Sequence, residues 1–317
     1  AGAIGFSTSR TRNHLTADDR PVASRVADWH EVRALVNAMG ETGAGIFELA
    51  GEEPGRSPVR QRDYFDRLKN LAVESGCPVT FGMPSIRIAP EIWPAYYELA
   101  NETAAAGGRM FVQAHSRAIS TLLSFKSHTP FDNETVMTEV AAKRGVHPAE
   151  AMIDIALERD FDAFFRQPIA NEDQDHVLQM MRHPRSVVTF SDSGAHVAQI
   201  MDSSLQTHLL SHWVRDKQAF TLEQAVRLIT FDTASAWGLH DRGLLRVGLN
   251  ADLVVFDPER IAPNMPELLH DLPAGAPRLK QTATGIAATI VNGRTLLRNN
   301  EPTGNLPGRL VRGPLAA

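Results

Sequence analysis

The sequence predicts an α/β chain built on a parallel sheet, with a smaller all-β unit at its C-terminal end. Two patterns carry this reading. Over roughly the first 200 residues, short apolar runs alternate with longer helical patterns, the order expected of βαβ units. After about residue 240, the 3.6-residue periodicity gives way to short β-branched runs split by turn residues.

The elements follow in order. Residues 4–7 read as a strand, 28–41 as an amphipathic helix with Val32, Leu35, Val36 and Met39 on one face, and 45–49 as the next strand. Residues 64–74 form a helix closed by Gly76, and 78–81 a strand. A helix over 92–106 leads to a strand at 110–113. Helices are expected over 134–143 and 147–159, the second with Pro148 in its first turn, and another ends at 178–182. Residues 186–190 form a β-branched strand that stops at Ser191-Asp192-Ser193-Gly194. Five such strands are too few for a closed eight-stranded barrel but supply the later part of a (β/α)8 TIM-like barrel.

Two helices come next, 205–215 and 222–237, the second opened by a Thr221–Gln224 capping box. Residues 242–257 read as a pair of short strands, and 287–297 as a hairpin turning at Asn292-Gly293. This divides the chain into a domain over 1–240 and a β-unit with its tail over 241–317.

Composition bounds the function. The 317 residues are 43% hydrophobic and 22% charged, as in ordinary soluble enzymes. A net charge of −5 gives no electrostatic reason to expect nucleic acid or an anionic membrane as partner. No apolar run approaches the roughly 20 residues that cross a bilayer. Cys77 is the only cysteine, which excludes an intrachain disulfide and fits a cytoplasmic location. The chain opens Ala1-Gly2-Ala3-Ile4-Gly5-Phe6, without Met or a charged leader, so residue 1 is expected to be an internal position of a longer protein.

Asp241-Arg242-Gly243, Gly248, the run from Ala251 through Asp257, and Val291-Asn292-Gly293 resemble the C-terminal β-sandwich segment of the amidohydrolase superfamily. Gly5-Phe6-Ser7-Thr8, Ser191-Asp192-Ser193-Gly194-Ala195-His196 and the closing Thr303-Gly304 and Pro307-Gly308-Arg309 resemble its D-aminoacylase (N-acyl-D-amino-acid deacylase) branch, C-terminal portion. The resemblance covers nearly the whole chain. It implies further barrel strands, the first half of the sandwich and part of the metal-ligand set upstream of Ala1. It also implies a longer connection near Phe131-Asp132 in relatives.

From this resemblance follows a metal-dependent hydrolase of linear amides, acting on small-molecule N-acyl amino acids with one or two divalent metals, zinc first. Asp192 closes a strand at its C-terminal end, where barrels place catalytic groups. It can ligate the metal and carry a proton from water to the leaving amine, since a bound metal lowers the pKa of water from about 15.7 toward about 7. Asp-Ser-Gly is also good turn chemistry. The branch's histidines at the ends of the fifth and sixth strands are absent; Glu48 and Thr80-Phe81-Gly82-Met83 stand there. Glu48 suits an oxygen ligand, or an arginine or backbone partner. His115 suits a metal ligand, a proton relay or a hydrogen-bonded core position. Arg117 could hold a substrate carboxylate in bidentate fashion, or lie at the surface. His196 is read as support for Asp192. Ser7, Arg10, Asn13 and His14 would line the mouth of the site, or form a polar loop.

His208 and His212 have i, i+4 spacing, but Leu209 occupies the position where zinc proteases need glutamate, so they read as structural. Cys77 reads as a buried small hydrophobe. Two alternatives remain open: a cyclic amidase or other amidohydrolase, and a metal-free, non-catalytic barrel homologue. Homo-oligomer formation is left open by the fold.

Overall fold

The structure is a computed structural model that describes residues 2–12, 14–52, 54–55, 57–126, 138–191, 193–194, 197–200 and 203–313. Its centre is a five-stranded, all-parallel sheet. In spatial order the strands are β1 (Gly5–Ser9), β2 (Ile46–Ala50), β3 (Val79–Gly82), β4 (Met110–Ala114) and β7 (Ser186–Val188). These are the five strands that the sequence predicts.

Strand alternation decides what faces what. Phe47 and Leu49, Val79 and Phe81, Val112 and Val188 join one hydrophobic core with the helices. Those helices are α2 (Trp29–Gly40), α3 (Pro58–Ser75), α4 (Ile92–Ala105) and α7 (Gln174–Arg182), with α1 (Ala23–Val26) short and uncovered. Leu68 of α3 is fully buried, which contributes about 1.5–3 kcal/mol relative to exposure. The residues between, Ser7, Glu48, Thr80 and Gln113, fall on the other face. Ser7 pairs in register with Glu48, and Glu48 with Thr80.

Helix α3 starts six residues before the periodicity suggests. Ser57 accepts the Arg60 N–H as N-cap and Pro58 occupies the first turn, while Arg60 through Asp63 offer no apolar stripe. Gly76, at φ +66°, closes it in the left-handed conformation.

Two strands escape the sequence reading, although the helices between them are the ones it expects over 134–143 and 147–159. Between β4 and α7 runs an excursion made of β5 (Ile119–Leu123), α5 (Thr138–Arg144), α6 (Pro148–Glu158) and β6 (Phe165–Ala170). Strands β5 and β6 pair antiparallel. Neither alternates, and Pro168 argues against a strand, so pairing rather than pattern makes them. The excursion holds its own small cluster of Leu123, Met152 and Phe165. Its ribbon also touches the segment that follows Asp192: Leu122 N–H donates to the Gln199 carbonyl at 2.8 Å. Phe131-Asp132 and the start of the 134–143 helix lie outside the described residues.

Helix α8 (Leu205–His208) runs into a π-helical stretch, Leu209–Asp216. The single helix expected over 222–237 is two, α9 (Leu222–Ile229) and α10 (Phe231–Ala236). The break is at Thr230, whose hydroxyl bonds back to the Val226 carbonyl while Thr233 bonds to Leu228. Such back-bonding competes with the helix ladder. The Thr221–Gln224 capping box forms as expected.

The tail holds a four-stranded antiparallel sheet of Glu301–Pro302, Arg294–Arg298, Ile286–Val291 and β8 (Leu253–Phe256). Asn292 and Gly293 sit at φ +47° and +74°, both positive as a type I′ hairpin requires. The pair of strands expected over 242–257 is corrected to one. Residues 242–249 are turns instead, where Arg242 is bound by Asp241 and Asp252. No helix among the described residues is long and apolar enough to cross a membrane.

Candidate active site

Parallel α/β sheets gather their chemistry at the C-terminal ends of the strands. Asp192, His196 and Asn13 lie outside the described residues. The chain leading to Asp192 is nonetheless firmly anchored. Phe190 N–H donates to the Ala114 carbonyl at the end of β4, at 3.2 Å. The Phe190 ring lies against Gly82 at the end of β3, and a Cβ built on Gly82 would come within 2.3 Å of two ring carbons. Only glycine admits the ring there.

Across the sheet face that carries Ser7, Glu48 and Thr80 runs a polar line. Gln113 Nε2 donates to Glu48 Oε1 at 2.8 Å and to Thr80 Oγ1 at 3.3 Å, and its Oε1 accepts from the Thr189 hydroxyl at 3.3 Å. Gln113 is thereby fixed by three neighbours, and Glu48 is aimed along the sheet toward it. Alternation from Glu48 would have placed Gln113 on this face in the sequence, although it was not singled out.

His115 is fully buried four residues before the β5 ribbon begins. Its Nδ1 lies 3.1 Å from the Arg117 N–H and 3.2 Å from the Arg117 carbonyl. Two tautomers read this geometry differently. With a bare Nδ1 the ring accepts from the amide; with Nδ1–H it donates to the carbonyl and the lone pair sits on Nε2. The Arg117 guanidinium is half-buried and donates to the Ser204 hydroxyl at 2.5 Å.

Ser7 is exposed on the same sheet face, in register with Glu48. Arg10 is engaged in a brace. Its guanidinium donates to Glu52 at 2.7 Å and to the Ser24 and Ala27 carbonyls at 3.1 and 2.8 Å. Arg67 takes the other Glu52 oxygen at 2.9 Å and lies over the Trp29 ring. Burial alone would raise the Glu52 carboxyl's pKa, but the hydrogen bonds from Arg67 and Arg10 outweigh it and hold the group below the usual carboxylate range.

Oxygen and imidazole donors suit zinc, yet no three His, Cys, Asp or Glu side chains converge among the described residues. By themselves the described residues therefore do not make a metal cage. His208 and His212 stack at 4.8 Å, with His208 Nδ1 and His212 Nε2 buried and without a partner. Burial, with the nearby His212, Arg117 and His115, pushes His208 down to about 3. That is core behaviour, as the sequence indicates. Cys77 is buried, and burial raises its thiol pKa. A cavity of about 1020 Å³ opens at the opposite, N-terminal ends of the strands, lined by Pro78, Met110 and Ser186, and none of Glu48, His115 and Arg117 lines it.

Comparison with known proteins shows the family and the fold. The model of the amidohydrolase family matches residues 104–297. An N-acyl-D-aspartate deacylase of Alcaligenes xylosoxydans xylosoxydans is 27% identical over 266 residues, covering 83% of this chain and 46% of the relative. A solved D-aminoacylase structure superposes with a TM-score of 0.63 at 20% identity, over 98% of this chain and 62% of the other. An N-acyl-D-glutamate deacylase from Bordetella bronchiseptica, solved with zinc and a phosphonate inhibitor, gives 0.64 at 21% identity, over 99% and 63%. This chain belongs to the amidohydrolase family. It spans about half the length of the deacylase relative and under two thirds of the two solved chains.

Proposed function

We propose that this chain carries the acid–base and substrate-carboxylate half of a metal-dependent hydrolase of linear amides, acting on N-acyl amino acids. The observation that carries the reading is the anchoring of Phe190, two residues before Asp192 in the sequence, onto the ends of β3 and β4, in a chain similar to an N-acyl-D-aspartate deacylase over 83% of its length. In this reading Asp192 takes the proton of the attacking water and delivers it to the leaving amine, with His196 supporting it. Arg117 binds the substrate carboxylate, and Ser7 and Arg10 border the mouth.

A divalent metal, one or two zinc ions, is part of the proposal; a D-aminoacylase structure is described with a binuclear metal center. In this chain Asp192, Glu48 and His115 are its candidate donors, and when bound it would polarise the acyl oxygen and acidify water. The parallel sheet is read as the later part of a (β/α)8 barrel over 1–240, and 241–317 as the sandwich segment and tail.

The test is a substrate panel. N-acetyl-D-amino acids are incubated with the protein and free amine is measured, beside hydantoins and dihydropyrimidines. Turnover of the linear amides supports the reading. Turnover of only the cyclic ones would replace it with a cyclic amidase.

A further inference from the structure

Asn171 is fully buried, has φ +60° and sits between β6 and α7. Every polar group it owns is used. Its Oδ1 accepts the Ser85 N–H at 2.7 Å, and its own N–H donates to the Ser85 carbonyl at 2.7 Å. Its Nδ2 donates to the Arg117 carbonyl at 3.3 Å, and its carbonyl accepts from Gln174 at 2.9 Å. Ser85 lies three residues past β3, and Arg117 three residues past β4. One side chain therefore ties together the loops that leave β3, β4 and β6.

Ser85 Oγ also lies 2.9 Å from His176 Nδ1, with His176 Nε2 3.7 Å from Asp173. These three have the composition of a nucleophile triad. Ser85 is only 3% exposed, however, and both its backbone groups are locked to Asn171. Asp173 is spent on capping α7. The set is a brace that keeps Ser85 facing Asn171.

The Arg117 carbonyl is the joint. Asn171 Nδ2 and His115 Nδ1 both meet it, at 3.3 and 3.2 Å. Whatever turns this peptide turns the Arg117 side chain and shifts the His115 contact. An asparagine suits the position because it tolerates the left-handed region and supplies both an acceptor and a donor.

We infer that Asn171 is a positioning residue, which sets the Arg117 peptide and thereby aims the Arg117 guanidinium at the substrate carboxylate. This rests on the reading of Arg117 given above. The tests are Asn171→Gly, which keeps the backbone conformation and loses both side-chain bonds, and Asn171→Asp, which keeps the acceptor for Ser85 and loses the donor to Arg117. Amide hydrogen exchange is followed at Arg117, with Val112 in β4 as the folding control. In both variants Arg117 exchanges about ten-fold or more faster while Val112 is unchanged, because the opening is local. KM for N-acyl amino acids rises about ten-fold with kcat within about two-fold, whereas an N-acyl amine without the carboxylate is hydrolysed as by the wild type. Unchanged exchange at Arg117 in both variants overturns the inference, and so does a fall in kcat at constant KM. If the wild-type protein hydrolyses no amide, the functional reading fails, and exchange at Arg117 alone still decides the positioning role.

Discussion

Replacing Gly82 with alanine tests the anchor of Phe190, two residues before Asp192 in the sequence. The added Cβ would lie 2.3 Å from Phe190 Cδ2 and Cε2 and 3.1 Å from Cγ. Carbon atoms rest at about 3.5–4.0 Å, so the ring must retreat by more than about 1 Å. It cannot do so alone, because the Phe190 N–H is bonded to the Ala114 carbonyl. Overpacking of this kind costs about 1–3 kcal/mol. Without the ring, the same change at an ordinary backbone position would gain about 0.4–1 kcal/mol from a stiffer unfolded chain. The sign therefore reports the contact. Thermal and urea unfolding of Gly82→Ala should show a loss of about 1–3 kcal/mol, a few degrees in Tm for a chain of this size. In a Phe190→Ala background the same substitution should cost nothing, giving a coupling of about 1–3 kcal/mol. Because Phe190 stands two residues before Asp192, deacylation should fall further than the folded fraction does. Equal cost in both backgrounds would refute the claim that the ring seated on Gly82 fixes this segment.

Other consequences concern pH and buried partners. Glu52 has a depressed folded-state pKa, so its contribution is present above the unfolded value near about 4.3 and is lost as pH falls through the folded value. Glu52→Gln should flatten that acid arm in urea titrations, and an unchanged arm would remove the Arg10–Glu52–Arg67 brace from the account. His208 is also depressed, so below about pH 6.5 the unfolded chain binds a proton that the folded one refuses. Stability should drop as pH falls from there toward about 3, and His208→Gln should lessen the drop. The Tyr64 hydroxyl accepts the Glu52 N–H at 3.2 Å. Tyr64→Phe should cost about 1–3 kcal/mol by leaving that amide unpaired, read as a shift in the urea midpoint without a change in slope.

The parallel sheet was legible because its strands are short apolar runs bounded by glycine and proline, and because helices such as 28–41 carry a clear apolar face. The hairpin at Asn292-Gly293 was legible from turn chemistry alone. The β5–β6 ribbon was not, since Ile119–Leu123 reads Ile-Ser-Thr-Leu-Leu, neither an apolar run nor an alternation, and the partner strand contains Pro168. The Thr230 break was hidden because nothing in the apolar pattern of 222–237 reports side-chain back-bonding. For the site, the sequence pointed to Glu48, His115 and Arg117 at strand ends; the structure has Glu48 in the middle of β2, and His115 and Arg117 one and three residues past β4. It did not point to Gln113, Ser85 or Asn171, whose importance lies in partners 54 to 86 residues away. Arg10 illustrates the converse. The sequence reads it as lining the mouth of the site or as part of a polar loop, and only the structure shows its guanidinium engaged by Glu52 and two carbonyls.

The central claim is that Asp192 moves the proton in amide hydrolysis. The direct measurement is deacylation of an N-acetyl-D-amino acid by the wild-type protein and by Asp192→Asn, with zinc content and Tm measured on the same samples. The account predicts a fall in kcat of about 10²–10⁴-fold at unchanged Tm, the range expected for losing a positioned acid–base group. An Asp192→Asn protein that deacylates at the wild-type rate would contradict it.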